Sequence, residues 1–156
     1  MRKKPAMGTA LVKSPSIDRR YTPFRLEIRQ SRIHRRGVYT LDTILPRRKV
    51  IEYTGERISR RETKRRGCGK ITSLFTLDDY WTLDGAVGGS GAEIINHSCD
   101  PNLYSTVFKG HILYMSKRLI LPGEELTVDY RFSNKIEKVR CACGSGRCRG
   151  VINLKT

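Results

Sequence analysis

Three cysteines near the end of the sequence constrain the fold of this chain more than any other feature. Cys141, Cys143 and Cys148 have the spacing CxCxxxxC. A structural zinc ion needs four thiolate or imidazole ligands in a tetrahedron, so this motif lacks one ligand. Cys99 is the natural fourth ligand, because Cys68 sits between two glycines with no second ligand nearby. We therefore predict a zinc site of Cys99, Cys141, Cys143 and Cys148 that attaches the C-terminal tail to the segment around Cys99.

A disulfide, or a set of free thiols, is the alternative use of these sulfur atoms. The sequence contains five cysteines, an odd number, and begins with no recognisable secretory leader. Both observations disfavour a disulfide framework. No apolar run approaches the roughly 20 residues that cross a bilayer. We expect a soluble, intracellular protein without membrane contact, in a nucleus or a bacterial cytoplasm.

The length and the charge distribution indicate one domain with a basic first half. At 156 residues and 38% hydrophobic content, the chain can bury one sizeable core. Residues 1–70 hold 21 Lys and Arg against 6 Asp and Glu, whereas the remainder holds 10 against 9. Such a field attracts nucleic acid or acidic partners. A solvated face that only keeps the protein soluble is the alternative.

Short strands dominate the local pattern. Alternating or β-branched segments predict strands at 24–28, 37–41, 49–53, 74–77, 80–83, 103–108, 112–115 and 125–130. One short, exposed cationic helix is predicted at 57–66, where Ser59 and Glu62 have the spacing of a capping box. The glycine cluster at 85–91 lacks the spacing of a nucleotide-binding loop and indicates a flexible connector. Residues 1–22 are polar and basic, and they predict a flexible or loosely docked arm.

Six motifs follow one another along residues 25–154. They are SRIHRRGVY at 31–39, EYTGE at 52–56, DG at 84–85 with GS at 89–90, NHSCDPN at 96–102, GEELTVDY at 123–130, and the CxCxxxxC tail. In this order and approximate spacing they resemble the SET-domain protein lysine methyltransferases. The resemblance implies a mainly β fold of several short curved sheets, with a pseudoknot formed by the NHSC and ELTVDY segments. It also implies a SET domain at 23–134 and a post-SET zinc-binding tail at 135–156.

The resemblance implies transfer of a methyl group from S-adenosyl-L-methionine to a lysine ε-amine of a protein, with a histone as one possible substrate. A lysine amine has a pKa near 10.4 and must lose a proton before it attacks, which desolvation in a narrow channel favours. The family's pattern assigns catalytic roles to Tyr130 and Tyr53 and a substrate channel to Trp81 and Val128. It assigns cofactor contacts to Arg36, Gly37, Asn96, His97 and Tyr130.

The chain departs from the family pattern at four positions. Arg35 replaces the first glycine of the family's GxG loop, so the loop or its cofactor affinity is expected to differ. Ser90 replaces an asparagine, and Glu93 stands where an arginine is common. Val128 replaces a frequent Phe or Tyr, which suggests room for more than one methyl group on the amine.

Two functions from different classes follow. The first is an S-adenosylmethionine-dependent protein lysine methyltransferase that its basic half directs to chromatin or another nucleic-acid-associated substrate. The second is a catalytically weak, zinc-stabilised SET-like module that binds nucleic acid or an acidic partner. Tyr130 and an intact cofactor loop favour the enzyme, whereas Arg35 favours the binding module.

Overall fold

The structure, a computed structural model, describes residues 14–67 and 73–155, and short strands make up most of its regular elements. One helix, α1, spans Arg60–Arg66, and 3₁₀ turns lie at Arg19–Tyr21 and Ala92–Ile94. The strands of these ranges are β1 (Leu26–Gln30), β2 (Arg36–Thr40), β3 (Lys49–Tyr53), β4 (Glu56–Ser59), β5 (Leu74–Thr76), β6 (Trp81–Asp84), β7 (Asn96–His97), β8 (Leu103–Phe108), β9 (His111–Ser116) and β10 (Glu125–Val128). The predicted mainly β architecture of several small sheets is confirmed. No helix of the described residues is long and apolar enough to cross a membrane.

The strands form three small sheets. Their orders are β1-β2-β10-β7, β3-β9-β8 and β4-β6-β5. The predicted hairpin of β8 and β9 turns at Lys109 and Gly110, whose φ angles of 49° and 79° are those of a tight hairpin turn. The predicted pair of β5 and β6 also forms, and β4 completes its sheet.

Strands β7 and β10 are the two segments that the sequence places in a pseudoknot, and they lie side by side. They pair in parallel, with Thr127 opposite Asn96 and Val128 opposite His97. Asn102 strengthens the junction, because its side chain accepts a hydrogen bond from Thr127 N at 2.9 Å and donates one to Glu125 O at 2.8 Å. The NHSCDPN segment is therefore held against β10 by backbone and side-chain hydrogen bonds together.

One hydrophobic core lies between the sheets. Its fully buried aliphatic side chains come from β2, β3, β8, β9, β10 and the connections between them, and they include Val38, Ile44, Val50, Ile51, Leu103, Ile112, Ile120 and Leu126. At roughly 1.5 to 3 kcal/mol for each buried aliphatic side chain, this core supplies most of the stabilisation. The catalytic candidate Tyr53 and the channel candidate Val128 belong to the same core cluster.

The predicted helix begins three residues later than expected. Ser59 caps it by accepting a hydrogen bond from Glu62 N at 3.3 Å, as the sequence indicates. A cap residue has an extended backbone, so Arg57 and Ile58 cannot be helical, and they pair with β6 instead. The helix buries no residue, which confirms that it is exposed.

Part of the predicted N-terminal arm, residues 1–13, lies outside the described residues, as does Cys68. The described part of the arm, residues 14–22, contacts the domain. Asp18 N donates to Ser90 O at 2.9 Å, Ile17 packs against the core, and the Thr22 hydroxyl donates to Val50 O at 2.6 Å.

We predict that Asn102→Ala lowers the free energy of unfolding by about 2 to 4 kcal/mol, because it leaves Thr127 N and Glu125 O buried without partners. Asn134→Ala is the matched control, since Asn134 is exposed, and its effect should stay within about 0.5 kcal/mol. Urea denaturation followed by circular dichroism measures both. Equal effects of the two substitutions would contradict the role given to Asn102.

Candidate active site and metal centre

Asn96 ties the first loop to the centre of the molecule. Its buried side-chain amide donates to Arg36 O at 2.9 Å, to His34 O at 3.3 Å and to Glu125 Oε1 at 2.8 Å. Asn96 belongs to β7, Glu125 to β10, and the two carbonyl groups lie where the 31–35 turn meets β2. One amide group therefore fixes the loop that the sequence assigns to the cofactor.

Glu125 is the second residue that fixes this loop, and the sequence analysis did not single it out. Its carboxylate accepts hydrogen bonds from the Ser31 hydroxyl at 2.8 Å and the Tyr39 hydroxyl at 2.9 Å, besides Asn96. A Cβ on Gly37 would lie 2.1 Å from Glu125 Oε1, so a larger residue there would displace the carboxylate from these hydrogen bonds. The only available sequence signal was the position of Glu125 inside the GEELTVDY motif.

Arg35 occupies a strained position in the same loop. Its φ of 41° lies in the left-handed region, where glycine is favoured and other residues are rare. The loop still closes, because Ser31 N donates to Arg35 O at 3.0 Å. The arginine is thus accommodated without loss of the turn, at an energetic cost.

The acceptors around this loop suit the cationic part of S-adenosylmethionine, which carries an ammonium group and a sulfonium. Carbonyl oxygens of His34 and Arg36 and the Glu125 carboxylate lie together around Asn96. Arg36 is exposed while Gly37 is buried. Each of these oxygens keeps a lone pair beyond its hydrogen bond from Asn96, so the acceptor set is compatible with the ammonium group of the cofactor.

His97, the second residue of β7, connects the candidate catalytic tyrosine to the cysteines. Its Nδ1 accepts a hydrogen bond from Tyr130 N at 3.1 Å, and its Nε2 lies 3.4 Å from Cys99 Sγ. Burial lowers the pKa of His97, which favours the neutral ring that this pattern requires. With Nδ1 as the acceptor, the ring proton lies on Nε2 and points at the sulfur.

Tyr130 is anchored at both its backbone and its hydroxyl. The hydroxyl donates to Ile95 O at 2.8 Å, and the ring packs against His97 and Phe132 with centroid distances of 5.4 and 5.7 Å. Burial raises the pKa of Tyr130 to about 12, so the hydroxyl keeps its proton at neutral pH. Because that proton points at a carbonyl, the phenolic oxygen can offer only its lone pairs to a ligand.

A cavity of about 430 Å³ opens beside Tyr130. Aromatic side chains from four parts of the chain line it, together with Val128 and Glu93. Those aromatic residues are Tyr53, Phe75, Tyr114, Tyr130 and Phe132. The structure thus brings together three of the predicted catalytic and channel residues, which are Tyr53, Val128 and Tyr130.

Trp81 is not among the residues that line this cavity. Its ring is 37% exposed and lies against the Arg57 guanidinium, whose carbon is 4.6 Å from the ring centroid. Phe75, on the neighbouring strand of the same hairpin, lines the cavity instead and packs on Tyr53 with a centroid distance of 5.2 Å. Phe75 is paired with Leu83, so Trp81, two residues from Leu83 on β6, lies on the same face of this sheet but stacks on Arg57 instead of lining the cavity.

Tyr53 is buried deep in the cavity wall, 4% exposed, and its hydroxyl donates to Ser73 O. Burial, with the nearby Glu93 and Asp84 charges, raises the pKa of Tyr53. Tyr114 packs beside it with a ring centroid distance of 6.0 Å. These rings form an apolar part of the cavity wall. The Tyr53 hydroxyl, like that of Tyr130, donates its hydrogen bond to a backbone carbonyl oxygen.

Four cysteines meet where the tail returns to β7. The Sγ atoms of Cys99, Cys141, Cys143 and Cys148 all lie within 4.8 Å of one another, and none forms a disulfide. Cys99 and Cys141 Sγ are 3.7 Å apart, about the separation expected of two sulfurs bound to one tetrahedral zinc ion. Backbone N–H groups of Arg149 and Gly150 donate to Cys99 and Cys148 sulfur. This arrangement can hold a metal ion.

The comparisons with known proteins agree with this geometry. The SET domain family matches residues 35–131, and the chain belongs to that family. It is 41% identical over 137 residues to the histone-lysine N-methyltransferase trithorax of Drosophila virilis, covering 80% of this chain and 4% of that protein. It is 37% identical over 139 residues to the histone-lysine N-methyltransferase set-2 of Caenorhabditis elegans, covering 82% of this chain and 9% of the relative. It is 38% identical over 135 residues to the human histone-lysine N-methyltransferase 2B, covering 80% of this chain and 5% of that protein.

The chain thus spans less than a tenth of the length of these three relatives. The family match covers residues 35–131, which hold β2, β7 and β10. What the relatives' names state about activity applies to those larger proteins.

We predict that Arg35→Gly raises the free energy of unfolding by about 1 kcal/mol, because it relieves a left-handed conformation that costs other residues roughly 1 to 2 kcal/mol. Arg32→Gly, in the same turn but outside the left-handed region, is the control and should lower stability. Thermal unfolding of both variants compares them. A loss of stability in Arg35→Gly would contradict strain at this position.

Proposed function

We propose that this chain is an S-adenosylmethionine-dependent protein lysine N-methyltransferase. The observation that carries the proposal is the anchored Tyr130 hydroxyl at the wall of an aromatic cavity, directly after β10 and bonded through its backbone to His97. Membership of the SET-domain family and the names of the relatives support the same activity.

The chain's own residues would orient the lysine amine. The phenolic oxygen of Tyr130 can accept a hydrogen bond from an amine N–H, because its own proton is committed to Ile95 O. An amine held by its N–H groups keeps its lone pair free for attack, and alignment of this kind supplies much of the acceleration of such a displacement. Tyr53, whose hydroxyl proton is also committed, offers a second acceptor in the lining of the same cavity.

The same walls lower the cost of deprotonating the substrate. Phe75, Tyr114 and Val128 present apolar surface to the cavity, and a lysine side chain that packs against them would lose part of its hydration. Desolvation disfavours the ammonium form of lysine and lowers its pKa from about 10.4. Arg36, Gly37, Asn96 and His97 would hold the cofactor, which supplies an electrophilic methyl group on a sulfonium. Within the hairpin of β5 and β6, we assign the channel position to Phe75 rather than Trp81.

Zinc is the metal that best fits the four cysteines, because tetrahedral thiolate sites favour it. A SET domain at 23–134 and a zinc-binding tail at 135–156 remain the proposed boundaries. The tail folds on itself through a bridge between Arg140 and Val151, and Phe132 pairs with Asn153. Burial raises the pKa of the Cys99 and Cys141 thiols, so zinc binding should release protons.

A histone or another chromatin protein is the proposed substrate, because the relatives are named histone-lysine methyltransferases. Nuclear or chromatin-associated action would follow from such a substrate. Contact with nucleic acid through the basic first half is a further proposal, supported by the surplus of cations in residues 1–70. The alternative, a catalytically weak binding module, has less support, because Tyr130, His97 and Asn96 are all in place.

The direct test is incubation of the purified chain with S-adenosylmethionine carrying a labelled methyl group and with core histones. Label transferred to lysine, located by mass spectrometry, is the expected result. The absence of transfer to every basic protein tried, together with no measurable cofactor binding, would contradict the proposal.

We predict that Tyr130→Phe lowers kcat by about 10- to 100-fold, the effect of losing one hydrogen bond to a charged or developing group. Cofactor affinity and zinc content should not change. Tyr80→Phe is the control, because Tyr80 is 76% exposed, and its activity should match that of the wild type. A fully active Tyr130→Phe protein would contradict the role proposed for this hydroxyl.

We predict that Cys143→Ser reduces bound zinc from one per chain to well below one, because a tetrahedral site loses one thiolate. The tail should become sensitive to proteolysis at the same time. Zinc is measured by atomic emission after dialysis, with Cys68→Ser as the matched loss of a thiol. Retention of one zinc per chain in Cys143→Ser would show that this residue is not a ligand.

A further inference from the structure

Glu93 is a titratable side chain in the cavity wall that the proposed chemistry does not use. It lies in the 3₁₀ turn Ala92–Ile94, is half-buried, and lines the same cavity as Tyr130. Its Oε2 accepts a hydrogen bond from Gly91 N at 2.8 Å. In the family that the chain resembles, an arginine is common at this position, so the carboxylate is a feature of this chain.

The glycine-rich segment before Glu93 is shaped around this side chain. A Cβ on Gly85 would lie 2.7 Å from Glu93 Cβ and 2.7 Å from the Tyr53 hydroxyl. A Cβ on Gly89 would lie 2.6 Å from Glu93 Oε1. Two glycines of the predicted connector, Gly85 and Gly89, thus leave space that Glu93 and Tyr53 occupy.

Glu93 has no ion-pair partner in the described ranges of the chain. Asp129, the other carboxylate in the wall, is held by the Arg149 guanidinium at 2.7 Å. Burial raises the pKa of the Glu93 carboxyl, because its charge is poorly solvated and only backbone N–H groups compensate it. An incoming cation would supply the missing compensation.

Arg131 also lines this cavity and opposes an incoming cation, but most of the rest of the wall suits one. Tyr53, Phe75 and Tyr130 present aromatic surface, and the two phenolic oxygens offer lone pairs because their protons are given to Ser73 O and Ile95 O. Aromatic faces and hydrogen-bond acceptors both attract an ammonium group in a desolvated site. A neutral side chain of the same length would gain the apolar contacts without the electrostatic ones.

We propose that Glu93 makes this cavity selective for a cationic side chain, and that it binds the ammonium group of the substrate lysine before the proton is lost. The proposal rests on the proposed lysine methyltransferase function and names the residue that recognises the charge of its substrate. It makes Glu93 a specificity residue of the binding step. Tyr130 remains the group that orients the amine for transfer.

The test compares two peptides that differ only in charge at the target position. A fluorescent peptide with lysine and its counterpart with norleucine, an uncharged side chain of similar length, are titrated with the full chain by anisotropy, without cofactor. The wild type should bind the lysine peptide on the order of tenfold more tightly, as expected of a charge-assisted hydrogen bond. In Glu93→Gln this ratio should fall to about one, with norleucine binding unchanged.

Glu137→Gln is the control, since Glu137 is exposed and does not line the cavity, and it should keep the wild-type ratio. A Glu93→Gln protein that keeps the ratio would overturn the proposal. Equal weakening of both peptides would overturn it too, because that is the result of a distorted cavity. Methyl transfer by the wild type is measured in parallel. If the wild type transfers no methyl group but its preference for the lysine peptide depends on Glu93, the result contradicts the enzyme function and leaves the role of Glu93 in binding intact.

Discussion

The parallel pairing of β7 with β10 is the interaction on which the candidate site depends. It involves two residues on β7, opposite Thr127 and Val128, and continues through Ser98 N, which donates to Val128 O at 3.1 Å. Because successive side chains on a strand point to opposite sides, Asn96 and His97 face in opposite directions. Asn96 reaches the first loop and Glu125, whereas His97 reaches Tyr130 and Cys99. Two adjacent residues thereby join the cofactor loop, the candidate catalytic tyrosine and the metal centre.

The tail is attached to this junction by two kinds of interaction. Cys99, two residues after His97, belongs to the cysteine cluster, and Arg149 from the tail returns to the same place. The Arg149 guanidinium is largely buried and binds both oxygens of Asp129, at 2.7 and 3.0 Å, next to Tyr130. Burial opposes ionisation of Asp129, but its hydrogen bonds to Arg149 and Arg131 hold its pKa below the usual value. A bidentate pair of this kind stabilises the contact and also restricts the relative orientation of Arg149 and Asp129. The order of the tail and the position of Asp129 therefore depend on each other.

Features that depend on neighbours in the sequence could be predicted, and those that depend on distant contacts could not. The turn at Lys109 and Gly110, the Ser59 cap and the adjacency of the NHSC and ELTVDY segments follow from local chemistry or from motif order. The role of Glu125 needs Ser31 and Tyr39, which are more than 80 residues away. Phe75 and Trp81 share a face of their small sheet, so the choice between them depends on which position along the hairpin meets the cavity, and no local pattern determines this. The close approach of Glu93 to Gly85 and Gly89, and of Tyr53 to Gly85, likewise depends on contacts that no local pattern shows.

Glu125 and Glu93 show how a strongly basic protein can keep an electronegative site. The chain carries a net charge of +16, yet neither carboxylate forms an ion pair with a cation in the part of the chain that the structure describes. Both are held by neutral donors instead, Glu125 by Ser31, Tyr39 and Asn96, and Glu93 by Gly91 N. Neutral donors stabilise a carboxylate without cancelling its charge, so its field remains available to a ligand. In the proposed function both the cofactor and the lysine are cationic. Salt screens the interaction of a ligand with exposed surface charges that lie more than a Debye length, roughly 8 to 10 Å, away. The partly buried carboxylates of Glu125 and Glu93 are screened much less, so they can determine what the site binds.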